Sequence, residues 1–536
     1  MMKRTAVVYG VCIMLLMSMI LRLCWVGLGG GSLQAMSGQS RYTLQVGSTR
    51  GGIYDCNMQP LVNREYREVS AVVPSAQTLA VLSAVGEEEK KTLRTLMENG
   101  KPFLYQGELQ QTEGITTYRL PIRYTDSTAC HIIGYLDGMG QGISGIEAAF
   151  ESLLRQQGEN YSVSCSVDAV GHAIDGQMWA APQSDSLGGV VLSIDRSFQQ
   201  LAEQALADGD VEAGAAVVMD IWSGEIKAMA SLPIYDPNNV ALALQKDDGG
   251  LLNRALCAYN VGSAFKLAVA AAALEEGVSP ETCFSCTGSI VVDGTRFHCH
   301  NLAGHGNIDM NEAMNHSCNI YFIELARSLG AEPIRKMAVR LGFGSAIPLA
   351  DGIAAVSGSL ASSEELQGGE LANFSFGQGR LTATPLQLAV MTAAIANGGE
   401  KLSPQLVLGT TEDGLTLAEK YPRYASAEVM SVQTSETLRA MMVQVVEEGS
   451  GANAAPAVGG AGGKTASAQT GRADPSGKEL VHAWFVGFYP ARTPRWAVVV
   501  LCEGGGSGGD VAAPVFRQIC SSIADLGYVA SDLNIP

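Results

Sequence analysis

The residues of this 536-residue chain that could do chemistry fall into three short groups, far apart in the sequence. Ser263 and Lys266 belong to the first, Ser-Ala-Phe-Lys; residues 317–319 read Ser-Cys-Asn and residues 463–465 read Gly-Lys-Thr. A serine hydroxyl is a poor nucleophile at neutral pH, so it needs a base beside it. Residues three apart share one face of a helix, so Lys266 can reach Ser263 across one turn. The pair predicts a serine nucleophile with a lysine base.

The other members of these groups have types that could support such a base. A lysine accepts a proton only if its pKa is depressed. Partial burial and a nearby positive charge both act in that direction, and Lys464 would supply the charge to Lys266. Ser317 offers a second hydroxyl that can relay protons, while Asn319 can donate and accept hydrogen bonds without titrating.

Substrate contacts are expected around the late lysine. Thr465, on a presumed strand after a glycine-rich approach, can bind a substrate carboxylate. The backbone N–H groups of Ser263 and Ser467 would hold the oxyanion of a tetrahedral intermediate. A Ser-x-x-Lys tetrapeptide by itself is a weak signal in a chain of this length, but the ordered set of three groups is specific for serine acyl transfer.

These groups and their flanks resemble those of the class B penicillin-binding proteins, which are membrane-anchored peptidoglycan D,D-transpeptidases. The similarity covers at least residues 190–520. Two departures stand out: Val261 precedes Gly262 where the family usually has proline, and Ala466 follows Thr465 where it usually has glycine. A strand accepts alanine if its φ is negative, so we expect Ala466 to be tolerated. The matching flanks are residues 214–238, 253–255, 376–379, 384–385 and 482–488.

The resemblance implies an α+β protein with the penicillin-binding transpeptidase fold: a five-stranded antiparallel sheet flanked by helices, an elongated amino-terminal pedestal domain and a single transmembrane helix. It implies that Ser263 attacks stem peptides ending in D-Ala-D-Ala, forms an acyl-enzyme and cross-links them, with no cofactor required for catalysis. β-Lactam antibiotics mimic that dipeptide and would acylate the same serine. A separate polytopic glycan polymerase is the expected membrane partner.

Three other functions are alternatives. A D,D-carboxypeptidase would use water as the acceptor with the same catalytic residues, and the large pedestal argues against it. A β-lactamase or β-lactam sensor would share the nucleophile, but no deacylating glutamate pattern is evident. A catalytically silent scaffold for the polymerase is disfavoured because all motif side chains are present. The net charge of -18 disfavours a general nucleic-acid binder.

The amino terminus predicts a membrane anchor. Residues 5–21 form an apolar run behind Lys3 and Arg4, and residues 23–28 extend it. Such a run can span a bilayer with the basic residues on the cytoplasmic side. The rival is a cleaved signal peptide, for which residues 33–35 are a poor cleavage site. We therefore expect a single-pass protein of the bacterial cell membrane with an extracytoplasmic catalytic domain. The predicted parts are 1–28 (cytoplasmic tip and anchor), 29–40 (linker), 41–188 (pedestal, dimerisation-like domain) and 189–536 (transpeptidase domain).

Apolar periodicity predicts several elements that support these parts. A glycine-rich run at residues 140–145 matches a dinucleotide-binding pattern in form, but we interpret it as a turn that enters a helix, because a domain outside the membrane meets no nucleotide pool. Residues 459–465 miss the phosphate-loop pattern, since Val458 stands where glycine is required. The predicted elements are helices over 77–98, 144–156 and 198–206 and a strand over 163–169.

The cysteines carry a second hypothesis. Cys286, Cys299, His305 and Cys318 offer ligands of the type and number that a tetrahedral zinc site uses. Some class B relatives involved in cell elongation carry a metal at similar spacing, with one ligand inside the Ser-x-Asn group, where Cys318 lies here. We interpret His298 and His300 as surface or packing residues rather than ligands.

Two alternatives to zinc stay open. A disulfide between Cys299 and Cys318 is the first, because thiols outside the membrane often oxidise and the spacing resembles a redox-controlled pair in sporulation relatives. Free thiols in a reducing niche are the second. Because Cys318 stands between Ser317 and Asn319, either a metal or a disulfide would couple to the geometry of the active site. Cys502 and Cys520 are expected to be buried free thiols.

Overall fold

The computed structural model describes residues 2–28, 41–180, 188–246, 248–423, 426–473 and 477–528, so the predicted linker over 29–40 lies outside the described residues. The chain divides into two compact units. The second unit includes residues 51–63 and 124–157, which the sequence analysis assigned to the pedestal. One reason is that the strand Gly52–Tyr54 pairs in parallel with Gly189–Leu192. The units are Met1–Arg50, Arg64–Arg123 and Gly158–Asp185, and Gly51–Asn63, Tyr124–Gln157 and Ser186–Pro536.

The chain begins with one long apolar helix, α1 (Met2–Leu28). Its segment Thr5–Trp25 is long and apolar enough to cross a membrane. At 1.5 Å per residue these 21 residues extend about 30 Å, which matches the hydrocarbon core of a bilayer. The helix therefore confirms the predicted apolar span, which extends through residues 23–28.

The first unit contains two small antiparallel sheets. The predicted strand over 163–169 is confirmed within Asn160–Val167, where Val163, Cys165 and Val167 are buried. The predicted single helix over 77–98 is wrong, because the backbone is extended at Val85 and Gly86. The unit comprises strands Arg41–Ser48, Glu65–Val72, Phe103–Gln106, Ile115–Ile122, Asn160–Val167 and Ala173–Ala180 and helices Ala76–Leu79, Ala80–Ala84 and Glu87–Glu98.

A five-stranded antiparallel sheet organises the second unit and confirms the predicted fold. Every residue of its first and fifth strands is buried, so both faces must be covered by other elements. The spatial order is β2-β1-β5-β4-β3, which makes β3 an outer strand. The strands are β1 (Gly214–Asp220), β2 (Ile226–Leu232), β3 (Gly462–Ala473), β4 (Glu479–Tyr489) and β5 (Trp496–Cys502).

Helices pack on both faces of this sheet. Side chains alternate along a strand, so Ala215, Val217 and Met219 join the core with α3, α5 and α6, while Ala216 and Val218 join the core with α2 and α7. The predicted helix over 198–206 is confirmed as α2. These helices are α2 (Arg196–Asp208), α3 (Lys266–Glu275), α4 (Asn319–Leu329), α5 (Pro385–Ala396), α6 (Val432–Glu447) and α7 (Ala513–Asp525).

The remaining elements of the second unit are short. The helix predicted over 144–156 is broken at Phe150, whose φ of -115° and ψ of 25° leave the helical region. The glycine run at 140–145 forms a turn before the first piece, as interpreted. These elements are helices Cys130–Ile133, Gly145–Ala149, Glu151–Gln156, Val240–Lys246, Met310–Asn315, Ala331–Leu341 and Gly368–Ser375 and strands Tyr259–Asn260, Phe284–Cys286, Ser289–Val292, Thr295–His298, Gly306–Ile308, Ile347–Ala350, Ile353–Ala355, Ser359–Leu360, Leu381–Ala383, Glu400–Lys401, Val407–Thr411, Glu419–Lys420 and Ala427–Glu428.

Candidate active site

A tight turn presents Ser263 at the start of α3. The turn is the 3-10 segment Gly262–Phe265, and the α-helix begins at Lys266. Gly262 has a φ of +63° and its N–H donates to the carbonyl of Gly377 at 2.9 Å. A Cβ on Gly377 would lie 1.9 Å from the carbonyl oxygen of Gly262, so two glycines permit this close backbone approach.

Lys266 lies at the centre of the site and is fully buried. Its Nζ donates to the carbonyl oxygen of Ser317 at 2.7 Å, to Oδ1 of Asn319 at 2.7 Å and to Oγ of Ser317 at 3.2 Å. Burial lowers the pKa of Lys266 to about 7, and the charges of Cys318 and Cys299 oppose this shift. Within residues 248–423, no hydrogen bond joins Ser263 Oγ to Lys266. The structure thus joins Lys266 of the first group to Ser317 and Asn319 of the second group by hydrogen bonds.

Lys464 is also fully buried, on β3 opposite Val486. Its Nζ donates to the carbonyl oxygen of Thr465 at 3.0 Å. Burial, and then the charge of Lys266, hold the pKa of Lys464 well below its usual range. Of the two predicted causes of the low pKa of Lys266, burial is confirmed and the charge of Lys464 is corrected, since the repulsion between the two lysines depresses the pKa of Lys464 instead.

Ser317 has an unusual backbone. Its φ is +52°, a left-handed conformation that non-glycine residues adopt rarely. The segment is held on both sides, because the N–H of Cys318 donates to Ala313 at 2.9 Å and Cys318 Sγ accepts from the N–H of Tyr321 at 3.5 Å, which caps α4. This turn directs the carbonyl and hydroxyl of Ser317 toward Lys266.

A cavity of about 430 Å³ brings the predicted residues together. Lys266 and Lys464 are buried and contact residues that line it. Ala466 also lines the cavity. It lies inside β3 and is not one of the described residues that have a positive φ, so the strand accepts alanine at this position as expected. The predicted lining residues are Ser263, Ser317, Asn319, Thr465 and Ser467.

Sequence reasoning missed several other residues of this cavity. His300, expected to be a surface or packing residue, is exposed and lines it. His316 could have been found because it directly precedes Ser317. Ser450, whose Oγ lies 3.0 Å from Thr465 Oγ1, gave no such signal, because only the structure brings these two residues together. The further lining residues are Asn453, Ser507, Gly509 and Asp510.

The four predicted metal ligands converge beside the active site. Ligand atoms of Cys286, Cys299, His305 and Cys318 all lie within 4.8 Å of one another. A short strand pair positions two of them, because Cys286 ends a strand paired with Gly306–Ile308 and its carbonyl accepts from the N–H of His305 at 3.0 Å. All three cysteines are buried. The exposed Cys283 is not part of the group.

The distances in this cluster fit a tetrahedral metal site. The sulfurs of Cys299 and Cys318 are 3.8 Å apart, and Cys299 Sγ lies 3.5 Å from Nδ1 of His305. Zinc–sulfur bonds of about 2.3 Å in a tetrahedron put two sulfurs about 3.8 Å apart. The hydrogen bond between the Cys299 and Cys318 thiols lowers the pKa of Cys299 and raises that of Cys318. The donor set is therefore chemically suited to a soft divalent cation.

Known proteins resemble this chain over most of its length. The model of the penicillin-binding protein transpeptidase domain matches residues 214–521. Stage V sporulation protein D of Bacillus subtilis is 33% identical over 417 residues, which cover 74% of this chain and 62% of that protein. Peptidoglycan D,D-transpeptidase PbpA of Mycolicibacterium smegmatis is 32% identical over 361 residues, covering 62% of this chain and 71% of that protein. A chain of a solved peptidoglycan synthase complex is 26% identical, with a TM-score of 0.67 and 99% coverage of both chains.

The sheet, the lysine-centred cavity and these similarities agree with one another. A serine, two buried lysines and a Ser-x-Asn turn, gathered at one cavity beside a five-stranded sheet, form an arrangement suited to serine acyl transfer. The chain belongs to the penicillin-binding protein transpeptidase family, among its class B members.

Proposed function

We propose that this protein is a peptidoglycan D,D-transpeptidase that cross-links stem peptides through an acyl-enzyme on Ser263. The observation that carries the proposal is Lys266, a buried amine with a pKa of about 7, bound to two residues that line the same cavity as Ser263. An amine with such a pKa is substantially neutral at physiological pH, so it can accept a proton.

The reaction divides into acylation and transfer. Ser263 Oγ attacks the carbonyl of the penultimate D-alanine and its proton passes to neutral Lys266. The resulting ammonium is held by Ser317 and Asn319, and Ser317 Oγ is placed to return the proton to the leaving amine. The terminal D-alanine departs, and an amine of a neighbouring strand then attacks the ester carbonyl and releases Ser263. β-Lactams acylate the same oxygen and stay bound.

Other cavity residues orient the donor. Thr465, whose hydroxyl is within hydrogen-bond distance of Ser450, binds the terminal carboxylate. The N–H groups of Ser263 and Ser467 stabilise the oxyanion that forms at the penultimate carbonyl. Lys464 donates a hydrogen bond to the backbone carbonyl of Thr465 and so stabilises this part of β3. These positions set the direction of the bound peptide along β3.

Mass spectrometry of the intact protein after penicillin treatment tests the nucleophile. We expect one covalent adduct on the wild type and none on Ser263→Ala. Ser362→Ala changes a serine outside the cavity and should be labelled like the wild type. Labelling of Ser263→Ala would refute the assignment, and an unlabelled wild type that still binds a polymerase would support the scaffold function.

A product assay separates transpeptidation from hydrolysis. The full-length protein is given a stem pentapeptide with and without a small acceptor amine. Cross-linked or aminated product should appear and should increase with the amine concentration. Exclusive release of the hydrolysed tetrapeptide would instead make the protein a D,D-carboxypeptidase, and rapid turnover of penicillin would make it a β-lactamase.

We also propose that the cluster of Cys286, Cys299, His305 and Cys318 holds a structural zinc ion. Native and denaturing mass spectra should differ by one zinc. Cys286→Ser should abolish binding, while Cys283→Ser, which removes the exposed thiol three residues away, should not. A loss of two hydrogens in place of the metal would indicate the Cys299–Cys318 disulfide, and an unmodified apo mass would indicate free thiols.

The membrane orientation and the partner are part of the same proposal. Lys3 and Arg4 precede the apolar segment Thr5–Trp25 of α1, so the positive-inside rule puts the amino terminus in the cytoplasm and the catalytic unit outside. A polytopic glycan polymerase would contact the anchor and the predicted pedestal over residues 41–188, with 189–536 as the transpeptidase domain. A membrane-impermeant thiol reagent applied to intact cells tests the orientation, since it should label the exposed Cys283.

A further inference from the structure

A second, larger cavity lies in the same unit, on the continuation of β3 away from Thr465. Its volume is about 600 Å³, and its lining combines arginine, glutamate, histidine and tyrosine side chains. Its principal lining residues are Glu212, Tyr259, Thr470, Arg472, His482 and Glu503.

A bulge at the end of β3 builds one wall of this cavity. Gln469 pairs with Val481 and the next pair is Ala473 with Glu479, so three residues of β3 lie opposite one residue of β4. Gly471 has a φ of +68°, and the hydroxyl of Thr470 donates to a β4 carbonyl at 2.7 Å. The same hydroxyl accepts from the N–H of Arg472 at 3.1 Å. Such bulges commonly re-aim a side chain beside an active site, and this one places Arg472 in the cavity lining.

The cavity contains two sets of charged side chains. The inner set is an ion pair whose charges cancel, and the outer set is one arginine and one glutamate that do not contact each other. Inside, Glu503 Oε1 accepts from Nε of Arg254 at 2.8 Å and from the hydroxyl of Tyr259 at 2.7 Å. On the outside, Arg472 and Glu212 are exposed, and neither forms an ion pair within residues 188–246, 248–423, 426–473 and 477–528. One cation and one anion are therefore available to a ligand.

The direction of the donor peptide leads to this cavity, if the function proposed above is correct. Its terminal carboxylate lies at Thr465 and its reacting carbonyl at Ser467, so the preceding stem residue continues toward Thr470. A strand rises about 3.3 Å per residue, which puts Thr470 about 10 Å beyond Ser467. A diamino acid side chain at the third stem position spans a similar distance of about 10 Å from that carbonyl through one intervening residue.

We propose that this cavity binds the side chain of the third stem residue and that its arginine and glutamate select a residue bearing both an amine and a carboxylate. Arg472 pairs with the side-chain carboxylate and Glu212 with the side-chain amine. The inner Glu503 group, already bonded by Arg254 and Tyr259, shapes the base of the cavity. A stem residue whose side chain has only an amine makes the contact with Glu212 but not the contact with Arg472.

Two stem pentapeptide donors test the proposal on the full-length protein. Both end in D-Ala-D-Ala and differ only at the third residue, which is meso-diaminopimelate in one and lysine in the other. The readout is kcat/KM for release of D-alanine with a fixed acceptor amine. The wild type should prefer the diaminopimelate donor about tenfold, the effect of one charge-assisted hydrogen bond.

Three variants separate the two contacts. Arg472→Gln should remove the preference by slowing only the diaminopimelate donor, whereas Glu212→Gln should slow both donors because both carry the amine. Arg492→Gln, which changes an exposed arginine between β4 and β5, should leave both rates unchanged. Penicillin, which has no third stem residue, is used to count reactive serines in every variant.

Two results would overturn the subsite. They are a wild type that consumes both donors equally, and an Arg472→Gln protein that keeps the preference. If Arg472→Gln changed the rate only when the acceptor amine was changed, and not when the donor was changed, the cavity would bind the acceptor strand and the proposal would be refuted. A protein that neither reacts with penicillin nor consumes either donor refutes the transpeptidase function itself, which is a different outcome.

Discussion

Burial of Lys266 should make the native state less stable at neutral pH than at alkaline pH. The amine has a pKa of about 7 in the folded protein and 10.5 as the unperturbed value. Between these values the unfolded chain binds more protons than the native state, so the free energy of unfolding rises with pH. Below about pH 7 the penalty is at its full value, and it disappears as the pH passes 10.5.

The size of the effect follows from the two pKa values. The penalty is roughly 4 kcal/mol at pH 7 and roughly 1.5 kcal/mol at pH 9.5, so it changes by about 3 kcal/mol between them. Lys266→Met removes it but leaves the oxygens of Ser317 and Asn319 without a donor, which costs about 1–3 kcal/mol each. That loss does not depend on pH. The difference between the two pH values therefore reports the titration of Lys266 and the repulsion that this residue exerts on Lys464.

Urea unfolding of the wild type and Lys266→Met at pH 7 and pH 9.5 measures this difference. The stability of the variant relative to the wild type should fall by about 3 kcal/mol as the pH rises. Lys336→Met removes an exposed lysine of the same unit, and its relative stability should not change with pH. An equal response of the two variants would refute the claim that burial depresses the pKa of Lys266.

The remaining predictions concern acylation by penicillin, measured by stopped-flow fluorescence. The wild-type rate should rise tenfold per pH unit below pH 7 and level off above it, since only neutral Lys266 accepts the proton; a rise centred above pH 9 would contradict this. Gly377→Ala should abolish acylation because its Cβ would meet Gly262, whereas Gly352→Ala, with a similar φ of +70° and open space, should not. Ser317→Ala should slow acylation about 10²-fold or more by removing the proton relay, and a rate like that of Ser362→Ala would exclude that role.

Much of the site could be predicted because its chemistry is local. Ser263 and Lys266 are only three residues apart. The functional groups of the Ser-Cys-Asn and Gly-Lys-Thr segments can be read directly from the sequence, because they do not depend on the fold. The convergence of cysteine and histidine side chains around Cys318 was also predictable, since few side-chain types are suited to a soft metal. The broken helix at Gly86 was not predicted, because periodicity over two short helices resembles that of one.

Other features depend on residues distant in sequence. The low pKa of Lys266 was expected from partial burial together with the charge of Lys464, but burial is complete and lowers the pKa without that charge. Ser450, in the turn after α6, approaches Thr465 on β3, and Glu212, just before β1, lines one cavity with Arg472 at the end of β3, only because the tertiary fold brings these distant segments together.

The sequence by itself determined which atoms are able to react: a hydroxyl, two amines, an amide and a set of thiols, in a fixed order along the chain. Tertiary structure decided their protonation and direction. Desolvation depends on every neighbour of a group, so the pKa of Lys266 arises from the packed core and not from its four-residue motif. The proposed direction of a peptide along β3, and the cavity proposed for its third residue, depend on the position of that strand at the edge of the sheet.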